Sequence, residues 1–218
     1  MLIIPLGKKG STGIPIITIF ICVACLLVFL FAHNGKDQLA LAFYPDKLDP
    51  LKMFTSVFAH ADIFHLLGNL FFFYSFSRTI ETQISAKGYL LAFFLFVAVT
   101  NLAYAYTAQQ PIPTIGLSGV VWGYMGIFLF RYAKDDITCF IWFIWFARNF
   151  QVPVLIFILA FFAFDVLAYK SADRGPVNYI AHFSGFAAGV MFRILFWRVF
   201  TTEKPEPKRR PAAAVARK

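Results

Sequence analysis

A serine hydroxyl attacks a carbonyl only when a neighbouring base takes its proton, and neutral histidine is the usual base near pH 7. Three apolar runs of this chain carry the parts for such a step. G-L-S-G-V-V-W-G holds Ser118 between Gly116 and Gly119, Y-I-A-H-F-S-G-F-A-A-G holds His182 and Ser184, and H-A-D-I-F-H-L-L-G-N holds His60, His65 and Asn69. The attacked carbonyl becomes an oxyanion that needs donors already in place. Asn69 offers an NH₂ and His65 an imidazole N–H, while the Ser118 amide stands at a helix start, where N–H groups lack intrahelical partners. His65 and Asn69 are four residues apart and share a helix face; Trp122, four after Ser118, is placed to pack on His182. A lone serine in a helix is ordinarily a small packing residue bonded back to its own backbone. Imidazoles and an amide beside it, all in apolar surroundings, are costly and mark function.

The elements that must position these groups follow from composition. Of 218 residues, 60% are hydrophobic and 14% charged, against about 25% charged in a soluble domain. The apolar residues collect in six runs, about 14–32, 62–80, 89–108, 116–133, 152–169 and 178–200. Each is near the roughly 17–25 residues needed to cross about 30 Å of hydrocarbon. The expected fold is all-α: a polytopic membrane protein with a six-helix bundle over 14–200, residues 1–13 before it and a basic, disordered tail over 201–218. The first run is longer than a signal-peptide core and no small-x-small site follows it, so it reads as a span. The segment 137–147, short and rich in Trp and Phe, reads as interfacial. Residues 33–61, with Pro45, Pro50, Phe43, Tyr44, Phe54 and Phe58, read as a partly embedded connection with short helical turns.

Charge sets the expected orientation. The net charge is +9, and much of the excess sits in the tail, which suits anionic lipid and not nucleic acid. Lys8, Lys9, Lys87, Lys134, Arg148 and the tail gather on one side, against Lys36, Lys47, Lys52, Lys170 and Arg174 on the other, so both termini are expected in the cytoplasm. Runs two, four and six then start at the outer face, with Ser118, His182, His65 and Asn69 within roughly 3–11 Å of their helix ends. Gly119 with Gly123, and Gly185 with Gly189, form small-xxx-small pairs that let two helices approach closely. Cys22 and Cys25 read as packing residues. No metal or cofactor is expected, as there is no H-E-x-x-H for a zinc enzyme, and no pair of intramembrane aspartates suggests an aspartyl enzyme. Asp165, near the outer end of run five, is expected to be structural or interfacial.

At these residues the chain resembles the rhomboid intramembrane serine proteases. The likeness covers about residues 14–200 and is carried by H-x-x-x-N at His65 and Asn69, G-x-S-G at 116–119 and A-H-x-x-G-x-x-x-G at 181–189, in that order. It implies a Ser–His pair without a third acid, with Ser118 as nucleophile and His182 as base. His65, Asn69 and Gly116 would line the oxyanion and substrate site, with Trp122 against the base. Single-span membrane proteins, cut in or near their spans, are the implied partners, in the lipid bilayer of a bacterial inner membrane with the site near its outer face. Run five, with Phe157, Phe161, Phe162 and Phe164, is the implied lateral gate, and Glu81 an implied structural acid. The sequence departs from the pattern at Trp122, where Tyr is common, and at Arg78, where Gly is common. Two other readings stay open: a catalytically silent relative that binds membrane segments, and a small-solute transporter using His60, His65 and His182.

Overall fold

A computed structural model of the chain describes residues 2–7, 13–32, 35–143, 146–171 and 177–202. Strand β1 (Leu2–Gly7) precedes helix α1 (Ile16–Phe31), two short helices α2 (Gly35–Ala40) and α3 (Pro50–Thr55), and a 3₁₀ turn over Ser56–Phe58. Helices α4 (Ile63–Glu81), α5 (Ala86–Thr107) and α6 (Ser118–Tyr132) follow, then strands β2 (Asp136–Phe143) and β3 (Phe146–Pro153). Helix α7 (Val154–Lys170), α8 (Tyr179–Leu195) and a final turn α9 (Trp197–Phe200) complete the described chain. The longer helices begin and end within a few residues of the apolar runs. Taken alone, Ala86–Thr107, at 22 residues, is long and apolar enough to cross a membrane, and the pair Pro50–Phe58 and Ile63–Glu81 is bent by 94°.

Side-chain caps fix where several helices start. Asp62 accepts from the Phe64 and His65 amides to open α4, Ser85 accepts from Gly88 to open α5, and Asn178 accepts from Ala181 to open α8. Each cap satisfies donors that the first turn would leave orphaned. For α4 and α8 the cap also sets the register of the residues of interest, His65 and Asn69 on one and His182 on the other.

The core is built around α6, which is buried continuously from Gly119 to Leu129. A helix apolar all round belongs inside a bundle, and glycine is what lets neighbours reach it. A Cβ on Gly185 would lie 2.1 Å from the Gly119 carbonyl oxygen, and one on Gly189 would lie 1.9 Å from that of Gly123. A Cβ on Gly123 would meet the Phe96 ring of α5 at 2.4 Å. The outside is apolar as well: Phe20, Phe31, Phe64, Phe164, Leu167 and Val199 are largely exposed. An aqueous surface does not tolerate so much contiguous hydrocarbon, whereas lipid does. Cys25 is buried in the core, Cys22 is half-buried, and both are free thiols.

At the end of α4 remote from Asp62, the Glu81 carboxylate accepts from the Ile17 and Thr18 amides, both at 2.8 Å, and from the Thr18 hydroxyl at 2.7 Å. It thereby caps the start of α1 from a different helix. Hydrogen bonds to a charged acceptor are worth roughly 1.5–3 kcal/mol each, so Glu81 ties the two helices together and touches none of the histidines. Its place is structural.

The all-α expectation needs one amendment. Strands β1, β2 and β3 form an antiparallel sheet in that order, Leu2 opposite Trp142 and Asp136 opposite Pro153. The segment read as an interfacial piece, 137–147, is therefore mostly strand, with its backbone groups paired to both sides. Pairing is the cheaper solution for a backbone that has left the helical state near an apolar phase. The tail expected over 201–218 lies, from residue 203 onward, outside the described residues.

Candidate active site

The connection between α1 and α4 holds the turn that precedes α6. Phe43 and Thr114 exchange backbone hydrogen bonds at 3.1 and 2.9 Å, and the Gly116 amide donates to the Ser56 carbonyl at 2.9 Å. Gly116 then takes φ +114°, a left-handed conformation that other residues adopt at a cost. The chain turns there and Ser118 becomes the first residue of α6, two residues later than the apolar run begins. Its hydroxyl is thus presented at a helix N-terminus, beside amides whose partial positive charge suits an anion.

The Gly116 turn faces α4. A Cβ at Gly116 would meet the His65 ring at 2.8 Å and the Asn69 amide nitrogen at 3.7 Å; glycine leaves that space open. The His65 Nδ1 accepts from the Ala61 amide at 3.4 Å, which leaves the ring proton to Nε2, on the side of the ring that a Gly116 Cβ would meet. Asn69 donates one N–H to the His65 carbonyl at 3.0 Å, and an amide has a second to offer. His60 packs on His65 with the rings T-shaped at 5.1 Å, its own amide donating to Gln38 Oε1 at 3.0 Å and its Nδ1–H to the Phe58 carbonyl at 3.2 Å. Burial, and then the neighbouring His65, push His60 down to about 4. It is neutral at ordinary pH and props His65 from the rear.

From the other side comes α8. The glycine contacts with α6 bring His182 up to Ser118, with Nε2 at 2.9 Å from Oγ. The His182 ring is buried, and the Trp122 indole lies 5.9 Å from it at a 33° tilt, while Tyr179 meets it edge-on at 5.9 Å. Trp122 is itself packed against Phe162 and Phe186. Ser184, the other hydroxyl of α8, donates back to the Ile180 carbonyl at 2.7 Å and takes no part.

One residue stands differently from its sequence reading. Asp165, expected to be structural or interfacial, has Oδ2 2.6 Å from His182 Nδ1. The reason is physical: a carboxylate on an otherwise apolar helix cannot face lipid without large cost, and the imidazole is the polar group that α7 can reach. The expectation of a pair with no acid behind it thus meets a geometry in which an acid is present. Its signal in the sequence was that it is an ionisable residue in an apolar run. No group of three or more metal-ligating side chains stands together among the described residues.

A hydroxyl, an imidazole and a carboxylate stand in one hydrogen-bonded line inside an apolar helix bundle, an arrangement like that of serine hydrolases. The Rhomboid domain family matches residues 48–199, and the chain belongs to that family. It is similar to the rhomboid protease GlpG of Salmonella choleraesuis (strain SC-B67), 26% identical over 182 residues that cover 80% of this chain and 60% of the relative. It is also similar to the mitochondrial rhomboid protein 1 of Saccharomyces cerevisiae (strain ATCC 204508 / S288c), 25% identical over 166 residues that cover 73% of this chain and 44% of the relative. The chain therefore spans less than two thirds of either relative's length.

Proposed function

We propose that this protein is an intramembrane serine endopeptidase that cuts single-span membrane proteins in or near their transmembrane segment. The observation that carries the reading is the 2.9 Å approach of Ser118 Oγ to His182 Nε2, next to the Gly116 turn that faces His65 and Asn69. His182 Nε2 takes the hydroxyl proton as Oγ bonds to the scissile carbonyl carbon. The carbonyl electrons move to oxygen, and the oxyanion is met by His65 Nε2–H, the second N–H of Asn69 and the Ser118 amide. The peptide C–N bond then breaks, and His182 gives its proton to the departing nitrogen. Water, deprotonated by the same imidazole, attacks the acyl-enzyme and returns Ser118 to its hydroxyl form. The test is cleavage of a single-span reporter by the purified protein, compared with Ser118→Ala.

The donors carry their own expectation. Asn69→Ala and His65→Ala should each lower kcat by about 10²-fold, the usual cost of one lost oxyanion donor, with little change in KM. Steady-state cleavage of the reporter reads both constants, and a loss confined to KM would reassign the residue to substrate binding.

In this reading the helices α1, α4, α5, α6, α7 and α8 are the six crossings and both termini lie in the cytoplasm, a proposal supported by the excess of Lys and Arg on that side. A reporter enzyme that works only outside the cytoplasm should be silent when fused after residue 218 and active when inserted in the 109–115 loop. The reverse pattern would invert the topology.

A further inference from the structure

We infer that Asp165 is a positioning residue for the proposed base: its carboxylate holds the His182 proton on Nδ1 and turns the Nε2 lone pair to Ser118, so that the reagent is a triad and not a pair. The inference rests on the protease reading above and deepens it.

The buried residues of α7 are Val154, Phe157, Ile158 and Asp165; the first three lie near its start. Around Asp165, Phe161, Phe164 and Leu167 all turn outward. The second half of α7 thus sends one described side chain fully into the bundle, and that side chain is a carboxylate. Packing alone would be served better by leucine, because a charge taken from water costs several kcal/mol unless paired with good geometry. The geometry here is good: Oδ2 is 2.6 Å from Nδ1, in the range of a charge-assisted hydrogen bond.

A neutral imidazole ring carries one proton, and whichever nitrogen holds it, the other is the acceptor. A carboxylate can only accept, so it selects the Nδ1–H form and leaves Nε2 free to take the Ser118 proton at 2.9 Å. When that proton arrives, the ring becomes a cation in a site of low dielectric, and the adjacent negative charge stabilises it. The Nδ1 proton stays on Nδ1 throughout. Trp122 and Tyr179 pack on the ring and limit its tilt.

Asp165→Asn keeps the shape and removes the charge. It should lower kcat for the single-span reporter by about 10³–10⁴-fold, as neutralising the third residue does in soluble serine proteases, with KM little changed. Asp165→Glu should recover part of the loss. Nitrogen NMR of histidine-labelled protein supplies a reading that a mere strut between α7 and α8 would not move: native His182 should be protonated at Nδ1, and the Asn variant should lose that preference. With four histidines in the chain, the signal is assigned by single substitution. Native-like turnover in Asp165→Asn, or a native His182 protonated at Nε2, would overturn the inference. Were the native protein to show no Ser118-dependent cleavage, the protease reading would fall while the NMR measurement still decided the Asp165 contact. An Asn variant that fails to fold leaves the native spectrum and the Glu variant to decide it.

Discussion

Replacing Ser118 by alanine is expected to abolish reporter cleavage, by about 10⁴–10⁶-fold in kcat, the range seen when a nucleophile acting as one unit with its base is removed. The size follows from what the side chain does. In the proposed mechanism only its oxygen bonds covalently to the substrate, and that oxygen lies 2.9 Å from His182 Nε2. The cost to the fold should be small. Ser118 is half-buried and gives up one hydrogen bond, worth about 1 kcal/mol, so thermal unfolding should hardly change. A serine-directed fluorophosphonate should label the native protein and not the variant. Ser184→Ala is the matched control: its hydroxyl returns to its own helix, and its loss should leave turnover intact. Equal cleavage by native protein and Ser118→Ala would end the proposed function.

Gly189→Val should be the most damaging change away from the reacting atoms. The first carbon added there would sit 1.9 Å from the Gly123 carbonyl oxygen. A flexible side chain could yield, but this neighbour is the backbone of a helix buried on every side. Relief requires α8 to back away from α6. We expect a loss of about 3 kcal/mol or more, at or beyond the upper end of overpacking costs, read as a lowered unfolding midpoint in detergent. The surviving folded fraction should turn over about 10²-fold more slowly, because displacing a catalytic group by about 1 Å has that effect. Gly68→Ala provides the contrast, since nothing lies within 4 Å of a Cβ at that position. Full activity and native stability in Gly189→Val would mean that the helix contact does not set the distance between hydroxyl and imidazole.

The residues that meet at the candidate site were legible in the sequence for an energetic reason. Serine, histidine and asparagine in apolar helices need a purpose, and their spacing on helical faces said which of them meet. Gly119, Gly123, Gly185 and Gly189 were legible as a route for close approach, and they are where the two helices touch. The contact of Asp165 with His182 was not legible because position along a helix does not determine which way a side chain faces once that helix is packed. Its depth was readable; the rotation that turns it onto His182 came from the packing of α7. The sheet was missed for another reason. The partner of β2 on one side is residues 2–7, more than a hundred residues away, and a short aromatic run carries no sign of so distant a neighbour. The start of α6 differed by two residues because Gly116, which looked helical in an apolar run, is the left-handed corner that presents Ser118.

Strand β3 ends at Pro153 and α7 begins at Val154, with no loop between them. A rod joined in this way to a three-stranded plate can swing about its foot but cannot slide. Val154 and Asp165 are about 16 Å apart along the axis, so a swing of only about 4° carries the carboxylate about 1 Å. The foot barely stirs in the same motion. The aspartate thus occupies the far arm of a lever, where the smallest rotation of the whole helix is felt first as a change in its distance from the ring it holds.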